Sequence, residues 1–239
     1  MTVILLRHGR STSNTAGTLA GRSEGVELDE LGRGQAEKVV DRLDGLPLGA
    51  IVRSPLLRCE QTVAPLAAAR GLDPVVEPRL LEVDYGDWTG RAIKDLTGEK
   101  LWKVVQQHPS AAVFPGGEGL ADVQARAVRA VRDHDERLAA EAGHDVLWVA
   151  CTHGDVIKAV LADALGSHLD QFQRIVVDPS SISVVRYTET RAFVHRVGDL
   201  GGDLSQFLPP PPKPEGSADG AGDEAGDDSD AVIGGSTGR

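Results

Sequence analysis

Sulfur and aromatic rings are scarce in this chain: two cysteines, one methionine, and aromatic residues at 4% of 239 positions. Two cysteines, Cys59 and Cys151, provide neither a disulfide framework nor the spacing of a metal site. Each is expected to be a small buried hydrophobe rather than a redox group. Positive charge is also in deficit, with 25 Lys and Arg against 36 Asp and Glu. The resulting net charge of −11 argues against a general binder of nucleic acid or of anionic membranes. No apolar run is long enough to span a bilayer, and the N-terminus has no signal-peptide apolar region. Met1-Thr2-Val3-Ile4 leads directly into a strand, so a cytoplasmic protein is expected. No internal repeat is evident. What remains, 41% hydrophobic and 26% charged, suits one or two domains with a real core.

The stretch that stands out is Leu5-Leu6-Arg7-His8-Gly9-Arg10-Ser11-Thr12-Ser13-Asn14. Val3 to Leu6 is a short apolar run of the kind a buried strand has, and Arg, His and Gly follow at its end. In an open α/β sheet, ligands bind outside the carboxyl ends of the strands. Arg offers a planar fork of donors to phosphate oxygens, and Gly lets the backbone turn or approach a ligand. Alone, the tripeptide fits a plain strand cap as well. The same grammar returns later: Asp145 to Ala150 reads as the central strand, followed by Cys151-Thr152-His153-Gly154-Asp155 and a helix through Leu165. Two such corners in one parallel sheet would place both imidazoles at one edge.

Between them, Thr15 to Glu27 reads as a loop around Ala20-Gly21-Arg22, long enough to line a site. Asp29 caps a helix from Glu30 to Leu43 with Leu31, Val39, Val40 and Leu43 as its apolar face. Ala50-Ile51-Val52 is a second strand. Ser54 and Pro55 then read as N-cap and first helical residue of a helix reaching Arg70, with Arg58 in its first turn, where an anion would be favoured. Val75-Val76 is a third strand. Leu80 to Gly90 mixes Glu82, Asp84 and Asp87 with Tyr85 and Trp88, and a carboxylate among aromatics is a candidate proton donor, because desolvation favours its neutral form. A polar helical region covers Arg91 to Gln107. Pro115-Gly116-Gly117-Glu118 is a turn, and Leu120, Val123, Ala127, Val131 and Leu138 mark a long amphipathic helix to about Ala142. Ser181 to Tyr187 and Phe193 to Val197 read as a hairpin at the sheet edge. The expected fold class is α/β: a three-layer α/β/α sandwich whose central sheet is mostly parallel with an antiparallel edge hairpin. From Pro209 the composition changes to Pro, Gly and acids, Lys213 and Arg239 standing against seven carboxylates. Residues 1–208 are therefore expected as the folded domain and 209–239 as a disordered acidic tail.

Taken together, these residues resemble the histidine phosphatase superfamily, the phosphoglycerate-mutase-like proteins. Arg7-His8-Gly9 with Asn14, then Ser54, Leu56, Arg58 and Thr62, then Glu82, Gly86 and Gly90, the Pro115–Glu118 turn and finally His153-Gly154 match its motifs in order. The resemblance implies His8 as a nucleophile that becomes phosphohistidine. It implies Arg7, Arg58 and a protonated His153 as the clamp on the phosphoryl oxygens, and Glu82 as proton donor. Asn14, Ala20, Gly21, Tyr85 and Gly154 would line the phosphate and substrate site. No cofactor and no metal are implied. The attacking nitrogen of His8 must be unprotonated, so its other nitrogen is expected to donate to a backbone carbonyl.

A phosphomonoesterase acting on a small phosphorylated metabolite is the expectation, with a phosphomutase as alternative and a non-catalytic phospho-ligand module as a third reading. Against the mutase, Ile93 stands where a phosphoglycerate mutase has a lysine, Lys94 falls one residue late, and no Arg-Arg pair lies between Gly90 and Pro115. The acidic tail and the preference for Arg over Lys also resemble an actinobacterial phosphomutase-like branch. A small phosphorylated molecule is the expected partner, with neither nucleic acid nor membrane, and a homodimer is left open.

Overall fold

The computed structural model describes residues 1–202; the expected tail, 209–239, lies outside the described residues. In chain order the elements are β1 (Thr2–Arg7), α1 (Thr12–Ala16), α2 (Glu30–Arg42), β2 (Leu48–Arg53), α3 (Leu57–Arg70), β3 (Val75–Val76), α4 (Ile93–Leu96), α5 (Lys100–Gln107), α6 (Leu120–Ala142), β4 (Leu147–Thr152), α7 (Gly154–Ala164), β5 (Ile182–Tyr187) and β6 (Ala192–Asp199). The six strands form one sheet in the order β3-β2-β4-β1-β5-β6. β1, β2, β3 and β4 run parallel, while β5 pairs antiparallel with both β1 and β6. The hairpin expected at the edge thus has one strand inside the sheet and only β6 at its rim.

Strand residues alternate between two cores, as period-two geometry requires. Val3 and Leu5 of β1, Val52 of β2 and Trp148 and Ala150 of β4 join α6 and α7 on one face. Ile4 and Leu6, Ile51, and Val149 and Cys151 join α2 and α3 on the other. Both faces of the parallel strands are covered, which is why those strands read as continuous apolar runs rather than alternating ones.

The long amphipathic pattern becomes α6 as expected, burying Leu120, Val123, Ala127, Val131 and Leu138. Its left-handed C-cap is Gly143, at φ 73°. Asp29 caps α2 by accepting from the Gly32 amide. Val39 and Leu43 are buried as expected, but Leu31 is 42% exposed, and the first turns of the buried face are Gly32 and Ala36 instead. Thr15 and Ala16, the start of the expected loop from Thr15 to Glu27, belong to the short helix α1. Its capping box joins the Ser11 side chain to the Asn14 amide and the Asn14 side chain to the Ser11 amide.

Candidate active site

The central parallel strands end level with each other. Arg7 of β1 stands opposite Thr152 of β4, and the His8 amide donates to the Thr152 carbonyl at 3.0 Å. The residue after each strand is a histidine, so His8 and His153 meet, with ring centroids 5.2 Å apart and an interplanar angle of 60°. Arg7, the last residue of β1, is fully buried and donates to the Val177 carbonyl at 2.7 Å. Gly9 lets the chain leave this corner. Its amide donates to Thr62 Oγ1 at 2.9 Å, and a Cβ here would lie 2.7 Å from the Gly32 carbonyl oxygen. A Cβ at Gly32 would in turn meet the Arg10 carbonyl at 2.0 Å, so this loop rests backbone on backbone against the first turn of α2.

His8 Nδ1 lies 2.7 Å from the Gly9 carbonyl. A carbonyl only accepts, so Nδ1 carries the proton and Nε2 presents a lone pair. Arg58, from the first turn of α3, donates to that Nε2 through Nε at 3.3 Å and to the Gly21 carbonyl through Nη2 at 2.8 Å. Burial, then Arg58 and Arg7, hold the His8 imidazole well below its usual pKa. Burial also lowers Arg7 and Arg58, though from a value far above neutrality. Arg58 Nη1 and His153 Nδ1 are buried with no hydrogen-bond partner among the described residues.

His153 is the N-cap of α7 and wholly buried. Burial first, then the charges of Arg58, His8, Arg7 and Arg126, press its pKa well below the ordinary value. The protonated His153 expected above is therefore neutral in the ligand-free protein. Its Nε2 lies 2.8 Å from Ser54 Oγ. Ser54 is thus not the N-cap of α3; that position is Leu56, which makes no side-chain cap.

Glu82 arrives from the long loop after β3 and is 4% exposed. Its Oε1 accepts from the Val83 amide at 3.0 Å. Burial and the Asp155 carboxylate outweigh Arg58 and Arg7 and push its pKa up to about 7. Its backbone is clamped: Arg22 and Arg126 both donate to the Glu82 carbonyl, at 3.0 and 3.2 Å. Glu118 of the Pro-Gly-Gly-Glu turn pairs with both arginines, and its amide donates to the Asp84 carbonyl at 3.0 Å. The turn packs so tightly there that a Cβ at Gly117 would sit 2.2 Å from the Asp84 oxygen. Asp84 itself faces Arg22 at 3.5 Å and the Gly86 amide at 3.1 Å.

The remaining expected residues sit as follows. Tyr85 is 1% exposed and donates its hydroxyl to Asp155 Oδ2 at 2.8 Å, while Lys158 Nζ holds Asp155 Oδ1 at 3.2 Å. Gly21, at φ +50°, supplies the carbonyl that orients Arg58, and its Cβ position lies against Tyr85 and Thr89. Gly154 is the first helical residue of α7, and Ala20 is half-buried beside Gly21. Asn14 Oδ1 is engaged by the Ser11 amide and hydroxyl.

Sequence reasoning missed Ser54 as a histidine partner, Asp155 with Lys158, and the Arg22–Glu118–Arg126 clamp. Asp155 followed His-Gly directly and Glu118 closed a noted turn, which were the signals present. Among the described residues no group of three or more His, Cys, Asp or Glu could hold a metal ion. Cys59 and Cys151 are both free and buried. No described helix is long and apolar enough to cross a membrane.

The sequence model of the histidine phosphatase superfamily (branch 1) matches residues 3–200. Phosphoserine phosphatase 1 of Hydrogenobacter thermophilus is 30% identical over 192 residues, which span 79% of this chain and 88% of that protein. A probable phosphoglycerate mutase, GpmB of Yersinia pestis, is 33% identical over 190 residues, spanning 79% and 86%. Among solved structures, a mycobacterial glucosyl-3-phosphoglycerate phosphatase in complex with VO3 superposes with a TM-score of 0.73. It is 26% identical and covers 82% of this chain and 97% of that one.

Proposed function

Because this chain belongs to the histidine phosphatase superfamily, we propose that it is a metal-independent phosphomonoester hydrolase that works through a phosphohistidine on small phosphorylated metabolites. The observation that carries the reading is the state of His8: Nδ1 committed to the Gly9 carbonyl, Nε2 unprotonated, buried and accepting from Arg58 Nε at 3.3 Å. A neutral imidazole so held attacks phosphorus in line without first losing a proton.

As the bond from His8 Nε2 to phosphorus forms, the ester bond to the leaving oxygen breaks, and charge spreads over three equatorial oxygens. Arg7, Arg58 and His153 supply the donors for them, so the positive charge that a metal would bring comes from side chains. Glu82, with a pKa of about 7, is protonated through the acid range and delivers its proton to the leaving oxygen. The resulting carboxylate takes a proton from water, whose oxygen attacks the phosphohistidine. Phosphate leaves, and His8 and Glu82 return to their starting states.

The named phosphatase relatives act on phosphorylated small molecules, and we carry that class to this chain. A mutase must also hold a second phosphate. In the segment that would supply the cations for it, Lys94, Lys100 and Lys103 are exposed, and Arg91 is paired with Glu99 at 2.9 Å. That arrangement favours hydrolysis over transfer. A cytoplasmic setting fits this substrate class and the two unpaired cysteines.

Turnover of p-nitrophenyl phosphate between about pH 5 and 8 tests the reading, followed by a panel of phosphorylated amino acids, glycerates, sugars and nucleotides. EDTA is expected to leave the rate unchanged. No turnover of any member, or a rate lost to EDTA and restored by Mg²⁺, overturns it.

A further inference from the structure

His153 raises a question of proton placement. A neutral imidazole carries one hydrogen, and only the nitrogen that carries it can donate to a phosphoryl oxygen. Nε2 is taken by Ser54 Oγ at 2.8 Å, and Nδ1 is buried with no hydrogen-bond partner among the described residues. Nδ1 is therefore the nitrogen left for a ligand. If the hydrogen sat on Nε2, a bare lone pair on Nδ1 would face anionic oxygens, which repels them.

We propose that Ser54 is a positioning residue that donates its hydroxyl to His153 Nε2 and so fixes the tautomer protonated at Nδ1, letting a neutral His153 donate to the phosphoryl group. The inference rests on reading this site as a phosphoryl pocket. One contact bears on the direction of the bond, and another on how the serine is seated. The Leu56 amide points at Ser54 Oγ at 3.5 Å, occupying a lone pair of that oxygen and leaving its hydrogen for the imidazole. Cys59 Sγ lies 3.6 Å from the same Nε2 but has the Thr152 carbonyl at 3.7 Å as an acceptor for its one hydrogen, so the serine is the donor the assignment rests on. The Ser54 amide donates to the Cys151 carbonyl at 2.9 Å, so the serine is seated on the strand whose end carries His153.

The charged and titratable groups around His153 are His8 and Arg7 from the end of β1, Arg58 and Cys59 from α3, and Arg126 from α6. Most are cations, and they oppose protonation of the ring. A clamp that needed the imidazolium would be weak near neutrality; one that needs only the correct tautomer is not. The serine thus does for His153 what the Gly9 carbonyl does for His8, with the opposite polarity: an acceptor puts the proton on Nδ1 of His8 directly, whereas a donor on Nε2 puts it on Nδ1 of His153.

The test is two-bond ¹H–¹⁵N spectroscopy of the full chain labelled with ¹⁵N-histidine, with His153 assigned by its loss in His153→Gln. In the wild type, His153 should be Nδ1-protonated with a bare Nε2 between about pH 6 and 8; the Nε2-protonated form overturns the proposal. Ser54→Ala should lose this single tautomer. Its kcat/KM on p-nitrophenyl phosphate, a substrate that departs without help from Glu82, should fall at least about tenfold at the alkaline end. The loss should shrink toward acid pH, where protonation restores a hydrogen at Nδ1. A loss equal at every pH would make Ser54 merely structural and sink the idea. The spectrum of the wild type needs no turnover, so it decides the tautomer even if the phosphatase reading fails or the variant does not fold.

Discussion

Two clusters in this molecule use the same residue types to opposite ends. Glu77, Arg79, Asp133, His134 and Arg137 tie the loop after β3 to α6; Glu82, Arg7, Arg58, His8 and His153 meet at the sheet edge. In the first, charges find counter-charges. Arg79 forks onto Glu77 at 2.8 and 3.0 Å and also pairs with Asp133 at 2.5 Å, and His134 Nε2 meets Glu77 Oε2 at 2.9 Å. Those bonds, Arg79 foremost, pull the Glu77 pKa down to about 2. In the second, burial wins: Glu82 is pushed up to about 7, and Arg58 Nη1 and His153 Nδ1 go unmatched among the described residues. Burying a charge without a partner costs several kcal/mol per ion. The two apolar layers around the sheet offset that cost. One cluster holds the fold; the other is held by it.

The sharpest way to break the comparison is His8→Ala, which should abolish turnover because no other described residue is placed to accept the phosphoryl group. His134→Ala should leave kcat near the wild-type value and lower only the melting temperature. Rates on p-nitrophenyl phosphate and a thermal melt of each variant decide this, and near-normal activity of His8→Ala would refute the mechanism.

Arginines come next. Arg58→Ala removes a charged donor from the transition state and should cost on the order of 10²-fold or more in kcat/KM, whereas Arg79→Ala should stay within about twofold. An effect near twofold at Arg58 would return it to the ranks of ordinary helix residues.

Glu82→Gln separates substrates. An alkyl phosphate, whose leaving oxygen needs a proton, should slow by about 10²-fold or more, and p-nitrophenyl phosphate far less. In the wild type the alkyl phosphate rate should fall as pH rises through about 7. The acid limb should lie lower, because the His8 pKa is well depressed. Equal losses on both substrates would move the proton donor elsewhere, with Asp84 the next candidate. Stability carries the opposite sign. A carboxyl whose pKa is raised by folding favours the fold below its unfolded pKa, and that advantage disappears as pH rises through the folded one. Glu82→Gln should therefore melt no lower than wild type at pH 8.

The smallest effect concerns Glu77, whose depressed pKa contributes stability above 4.5 that is lost as pH falls toward about 2. Glu77→Gln should cost at most about 3 kcal/mol near neutrality, and the gap to wild type should close in acid. A gap that stays constant with pH would mean that packing, not charge, explains the residue.

How far the sequence could be read follows from the range of each interaction. The corner Arg7-His8-Gly9, the helix Leu120–Ala142 and the second corner at His153 were legible because each is a local pattern: an apolar run, a 3.6-residue period, a glycine after a strand. Leu31 was assigned to the wrong stripe because on α2 small residues, Gly32 and Ala36, take the core side. α1 is five residues long, too short for periodicity, although Ser11 and Asn14 carried its cap. Ser54 before Pro55 looks like any helix cap, and its real partner lies 99 residues away. Tyr85 and Asp155 are 70 residues apart, and nothing local distinguishes a tyrosine that meets substrate from one that fixes a carboxylate.

The contact between Gly9 and Gly32 bears on how such a protein can diversify. Neither position admits even a methyl group without moving main chain, so the nucleophile's seat is closed to variation by substitution. Changes in substrate preference are therefore expected away from this hinge, for instance between Asp84 and Glu118, where Asp87, Lys94 and Lys103 are exposed. A saturation library that included the two glycines would spend members on an immovable hinge of backbone; one that leaves them fixed samples chemistry while the reacting atoms stay put.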